Sequence, residues 1–245
     1  MNEHLLYLAI NAGVLFLPLL FSFHPRIRFD KHWGAFFSAC GLVAIIFIVW
    51  DILFMKAGIW GFNERYLIGW TVIDLPLEEC LFFICIPYAC LFTYHCMTLL
   101  KWRLHIQPWL IAAGVVGIIL VMVGVFNYQR AYTFASMGLC GAVLIWLAFV
   151  VKALWLPRIV ITYLVIMPFF LISNGLLTGS WIPEEVVWYN DAENLGLRVG
   201  TIPVEDAVFG FSLILLNTLL FERFRKHSEQ RPGFKGRVNP SGQVL

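Results

Sequence analysis

Two segments, Pro76-Leu77-Glu78-Glu79 and Pro203-Val204-Glu205-Asp206, each set adjacent acids at the head of an apolar run long enough to cross a bilayer. A carboxyl in such a run is costly unless it is paired, hydrogen-bonded or protonated, so it calls for a chemical reason. Neighbouring acids there can share a proton and titrate as one group. The result is a Brønsted acid kept from bulk water and open to lipid, suited to protonating an unreactive apolar substrate such as an alkene. A plainer account has proline in the first helical turn, followed by acids that the helix dipole favours. That explains one motif, but not its recurrence half a chain later.

Few other polar residues share this level: Asp51, Asn63, Asn174, Tyr189, Asn190 and Arg198. Asn and Tyr can orient carboxyls or face a cationic intermediate, and Arg198 can keep one acid ionised as a base. Each also serves as a helix cap or loop hydrogen bond. Trp60, Phe82, Phe83, Trp188 and Phe209 lie close to the motifs. They read either as an interfacial aromatic belt or as π faces around a carbocation.

The elements that carry these residues are membrane helices. Of the 245 residues 60% are hydrophobic and 13% charged, and the apolar residues come in runs rather than at amphipathic intervals. Spans of about 20 residues are expected, and seven fit, near 3–22, 32–54, 76–98, 106–126, 132–151, 158–177 and 203–222. No Lys or Arg precedes the first run and no small-residue cleavage site follows it, so it reads as a retained helix. Arg26, Arg28, Lys31, Lys101, Arg103, Lys152, Arg158 and the basic tail fall on one side only with the N-terminus outside and the C-terminus cytoplasmic. The fold class is therefore all-α integral membrane, with cell-membrane localisation. The six cysteines show no CxxC spacing and read as packing residues. Neither a metal nor a nucleic-acid partner is expected.

Superposing the acidic motifs extends the match. Leu81-Phe82 falls opposite Val208-Phe209, and Trp60-Gly61-Phe62-Asn63 opposite Val187-Trp188-Tyr189-Asn190. With a small gap, Asp51 falls opposite Asn174. The predicted organisation is a three-helix unit over 1–104, a linker helix over 105–130, a second three-helix unit over 131–225, and a disordered basic cytoplasmic tail over 226–245 near anionic headgroups. An odd linker makes the two units parallel, with a pseudo-axis along the membrane normal. Both acidic motifs then lie at the outer ends of the third and seventh helices, where face-to-face packing would bring them together.

Together with Leu81-Phe82-Phe83, Asn174-Gly175-Leu176-Leu177-Thr178-Gly179, Trp188-Tyr189-Asn190 and Gly196-Leu197-Arg198, these motifs carry a resemblance. The chain resembles the membrane-integral lycopene cyclase domain family over essentially residues 3–225, in the fused form with both units in one polypeptide. The resemblance implies an intramolecular lyase/isomerase that closes the linear ends of lycopene to give β-carotene by way of γ-carotene. An acid protonates the terminal double bond, the next alkene attacks the cation, and a ring-adjacent proton leaves. No electrons are transferred overall, and no flavin or other cofactor is expected; no GxGxxG follows a strand. Glu78, Glu79, Glu205 and Asp206 become the acid/base candidates, with donor and acceptor unassigned. The implied partners are lipid-dissolved lycopene and γ-carotene, membrane lipids and other carotenoid enzymes. One composite site is favoured over two, and β- versus ε-ring formation stays open, as does another carotenoid substrate. A small-solute transporter with parallel three-helix repeats is the rival reading, but it needs polar groups near the midplane. A retinal receptor needs a lysine in the last helix, and residues 203–222 contain none.

Overall fold

The computed structural model describes residues 3–100, 102 and 104–229. Among these, seven helices are long and apolar enough to cross a membrane. They are α1 (Leu6–Phe21), α2 (Trp33–Lys56), α3 (Leu77–Leu99), α4 (Ile106–Phe126), α5 (Ala131–Ile145), α6 (Leu156–Leu177) and α7 (Val204–Glu229). The helices coincide with the predicted spans to within a few residues, apart from α5, which continues as a π-helical turn over Trp146–Val151, and α7, which runs on past residue 222 to Glu229. Leu42, Ile45, Ile46, Ile118 and Ile119 are exposed on the bundle's surface, as lipid-facing residues must be.

The helices pack as a multi-span bundle. α1 lies on α3, α5 on α7, α2 on both α3 and α7, and α6 on both α3 and α7. α4 packs along α5 through glycines: a Cβ at Gly141 would sit 2.5 Å from the Gly117 carbonyl oxygen. Small residues at such a crossing let the two backbones meet.

Short strands, invisible as period-2 patterns, complete one end. β1 (Trp60–Phe62) pairs antiparallel with β4 (Val187–Tyr189), with Gly61 opposite Trp188. β2 (Thr71–Val72) and β3 (Leu75–Pro76) form a hairpin feeding α3; β5 (Arg198–Val199) and β6 (Ile202–Pro203) form one feeding α7. Each hairpin is tied to its helix in the same way. Leu77 N donates to Trp70 O at 2.9 Å, and Val204 N donates to Leu197 O at 3.0 Å. Pro76 therefore sits just before α3 with extended backbone, φ −54° and ψ 140°, rather than inside its first turn. Its missing N–H is no loss at the end of a two-residue strand.

α7 runs to Glu229, so residues 226–229 of the expected tail continue the helix. The rest of that tail, 230–245, lies outside the described residues.

Candidate active site

The hairpins deliver the two acidic pairs to the same end of the bundle, and within each pair the acids face different ways. Glu78 and Glu205 are fully buried. Glu78 Oε1 accepts from Ile68 N at 2.7 Å, and Glu205 Oε1 accepts from Leu195 N at 2.8 Å and from Thr133 Oγ1 at 2.6 Å. These first acids tie each incoming loop to the start of its helix. An Asn11 side chain on α1 completes the first clamp by donating to the Glu78 carbonyl at 2.8 Å.

The second acids point inward. Glu79 accepts a hydrogen bond from the Tyr7 hydroxyl on α1. The Asp51 carboxyl, from the C-terminal end of α2, is buried and lines the same cavity as Glu79 and Trp60. Across the bundle, Asp206 is surrounded by donors. Its Oδ1 accepts from Tyr132 Oη at 2.5 Å; its Oδ2 accepts from Asn174 Nδ2 at 2.7 Å and Tyr189 Oη at 3.0 Å. For Tyr189, on the extramembrane strand β4, burial first and the Asp206 charge second push the phenol well above the ordinary tyrosine range. It therefore donates rather than ionises.

Glu79, Asp51 and Asp206 all line one cavity of about 740 Å³. No Lys, Arg or His is among its lining residues, and no group of His, Cys, Asp or Glu among the described residues is placed to hold a metal ion. Trp60, Tyr132, Tyr189 and Phe209 surround the Asp206 side, with Trp60 and Tyr132 5.0 Å apart edge-to-face and Tyr132 stacked on Tyr189 at 5.8 Å. A cation held there would meet both π faces and carboxylate charge. Phe82 lines the Glu79 side.

Away from the acids the cavity becomes an apolar groove between α1 and α6. On α1 its wall runs from Leu6 to Phe21, roughly 22 Å at the helical rise. Leu17, Phe169 and Ile172 belong both to this wall and to the bundle's outer surface, so the groove opens sideways, where lipid lies.

Three supporting residues expected at the acids lie elsewhere. Asn63 caps the short turn Glu64–Tyr66 and donates to Glu184 at 3.0 Å. Asn190 organises its own loop by accepting from Ala192 N at 3.1 Å. Arg198 pairs with Asp191 at 2.5 Å, donates to Thr201 O at 2.7 Å and reaches only the Tyr189 ring, 5.9 Å from its centroid. Adjacent loop carboxyls and carbonyls satisfy these groups before the buried acids can. Asn174, Tyr189, Trp60, Phe82 and Phe209 do gather at the cavity. Tyr7 and Tyr132 were not singled out from the sequence. Their signal was available: each stands at the second position of a helix that opens a three-helix stretch, α1 and α5.

The lycopene cyclase family profile matches residues 4–97 and 129–224. The chain is similar to a bifunctional lycopene cyclase/phytoene synthase of Aspergillus niger, 25% identical over 191 residues, covering 69% of this chain and 32% of that protein. The protein of the same description from Neurospora crassa is 22% identical over 191 residues, covering 69% and 31%. That of Leptosphaeria maculans is 32% identical over 80 residues, covering 33% and 12%. The matched region is thus about a third of the first relative's length, or less. No solved structure matches the chain. With the family profile covering most of its length, and with buried carboxyls gathered at the head of a lipid-facing groove, this chain belongs to the lycopene cyclase family.

Proposed function

We propose that the chain is a lycopene β-cyclase, an isomerase that converts lycopene to β-carotene by way of γ-carotene without net redox chemistry. The observation that carries this is the convergence of Glu79 and Asp206, from different acidic motifs, on one apolar groove. A linear polyene fits along the α1–α6 groove with its terminal isoprene units between the two acids and among the aromatic rings. Glu78 and Glu205 then act as positioning residues that hold the loops, and Glu79 and Asp206 meet the substrate.

The chain is best understood as two parallel three-helix units, α1–α3 and α5–α7, joined by α4. The matched loop-to-acid bonds, both spanning ten residues, support this. So does the strand pair β1–β4, which brings Trp60-Gly61-Phe62 and its counterpart together about a central Gly61–Trp188 contact. In that arrangement the counterpart of the groove would lie between α5 and α2. Beside it, the α2 rings of Phe47, Trp50 and Phe54 pack with Phe209 of α7 at 5.1–5.8 Å. In this reading the two units share a single composite site. The loop charges favour an outside N-terminus and a cytoplasmic C-terminus, with the acids in the outer leaflet.

Pigment analysis after expression in lycopene-accumulating bacteria tests this. Wild type should yield β-carotene and γ-carotene, and Glu79→Gln should leave lycopene uncyclised. A Glu79→Gln variant that stops at γ-carotene would mean two independent sites. Unchanged lycopene with folded wild-type protein would sink the lycopene assignment.

A further inference from the structure

The two halves of the site hold their acids in chemically opposite ways. Asp206 is met by three donors, the Tyr132 and Tyr189 hydroxyls and the Asn174 amide. An ionised carboxylate only accepts, and this set fills both of its oxygens. Glu79 has one such donor, Tyr7. Where Asp206 has an amide from α6, the Glu79 side of the cavity has a second carboxyl from α2, that of Asp51. Two carboxylates facing one cavity repel, and a proton held between them relieves that repulsion. Asp51 is buried, its Oδ2 has no donor among the described residues, and no Lys, Arg or His lines the cavity to neutralise a doubly charged pair.

We infer that Asp51 and Glu79 share one proton and form the acid of the site, while Asp206 stands ionised as its base. At corresponding places the halves differ by Asp51 in α2 against Asn174 in α6, by Phe62 against Tyr189 and by Glu79 against Asp206, and the first of these puts a carboxyl where the other half has an amide. The assignment rests on the cyclisation proposed above. In each ring closure Glu79 delivers the shared proton to the terminal alkene, forming a C–H bond and a tertiary cation. The next double bond attacks that cation and moves the charge into the ring. Asp206 removes the ring-adjacent proton, whose C–H electrons become the ring double bond. The proton then returns from Asp206 to the Asp51–Glu79 pair, so atoms and electrons balance with no oxidant or reductant. Asp51 acts through Glu79 and is a positioning and proton-sharing residue.

The test uses purified full-length protein in lipid nanodiscs and the same variants in lycopene-accumulating bacteria. Infrared spectra would follow the protonated-carboxyl carbonyl stretch, and pigment analysis the conversion. Asp51→Asn should lose one protonated-carboxyl band and about a hundredfold in conversion, the scale of a general-acid contribution. Asp51→Glu should recover both in part. Asp206→Asn should keep the band although conversion falls. The assignment is overturned if Asp51→Asn keeps the band, or if Asp206→Asn is the variant that loses it. Wild type showing the expected bands but leaving lycopene unchanged would instead overturn the cyclisation, so the two failures are distinguishable.

Discussion

Adjacent acids with different jobs should respond differently to the same substitution. Glu79→Gln removes the proposed proton donor and should cut cyclisation by about two orders of magnitude. Glu78→Gln keeps an oxygen able to accept from Ile68 N, so the protein should fold and retain most of its conversion. Glu78→Ala leaves that N–H without its partner, a loss of about 1–3 kcal/mol that a thermal melt in detergent would read. Arg198 belongs to a different group. Its hydrogen bond and charge hold the Asp191 carboxyl below the usual range, in an exposed loop outside the membrane helices. A folded-state pKa below the unfolded one contributes stability above the ordinary carboxylate pKa, lost as pH falls through the depressed value. The pair is solvent-screened, so Arg198→Gln should cost under about 1 kcal/mol. It should flatten the acid limb of the stability curve and leave cyclisation nearly intact. A large loss of conversion at neutral pH would mean Arg198 reaches the acids.

At the scale of elements, the β1–β4 pair joins the loops that carry Trp60 and Tyr189. The Trp188 ring lies flat against Gly61, and a Cβ there would come within 2.4 Å of Trp188 Cζ2. Gly61→Ala should separate these strands, lower the melting temperature and slow the reaction, and Trp188→Ala in the same chain should restore both in part. Failure of that rescue would show that the strain lies elsewhere. The β2–β3 turn carries its own strain, with the β-branched Ile73 at φ 52° and Asp74 at φ 69°. Ile73→Gly should stabilise the hairpin by roughly 1 kcal/mol.

The helices were legible because a 20-residue apolar run has one stable form in lipid. The hairpins were not, since two-residue strands carry no periodicity and are held by helix-end contacts such as Leu77 N to Trp70 O. Asp51, Glu79 and Asp206 could be picked out because charge is rare in apolar segments. Which acid faces inward depends on helix rotation, and adjacency alone does not fix that. Arg198 shows the opposite error: a cation near acids in sequence found the nearer, exposed Asp191 instead.

For the whole molecule, the groove is the feature that separates binding from chemistry. Gly13 lines it on α1, and a Cβ there would meet no other heavy atom within 4 Å. Gly13→Phe should therefore leave the fold intact while filling the channel. Conversion should drop about tenfold or more, at unchanged protein level, through weaker substrate binding rather than altered chemistry. Equal conversion at all lycopene levels would place the polyene elsewhere.

If the groove takes lycopene one end at a time through its lipid-facing side, as proposed above, it also dictates a rhythm of turnover. The two ends of a symmetrical polyene cannot reach the same acids together, so a half-closed molecule must back out and turn round before its second end reacts. Such an enzyme is distributive: the monocyclic species rejoins the membrane pool and competes with fresh lycopene for the same mouth. The ratio of one-ring to two-ring pigment then becomes a property of supply, rising when precursor outpaces enzyme and vanishing when enzyme is in excess. A cell could set its pigment colour by expression level alone, with no change in the protein.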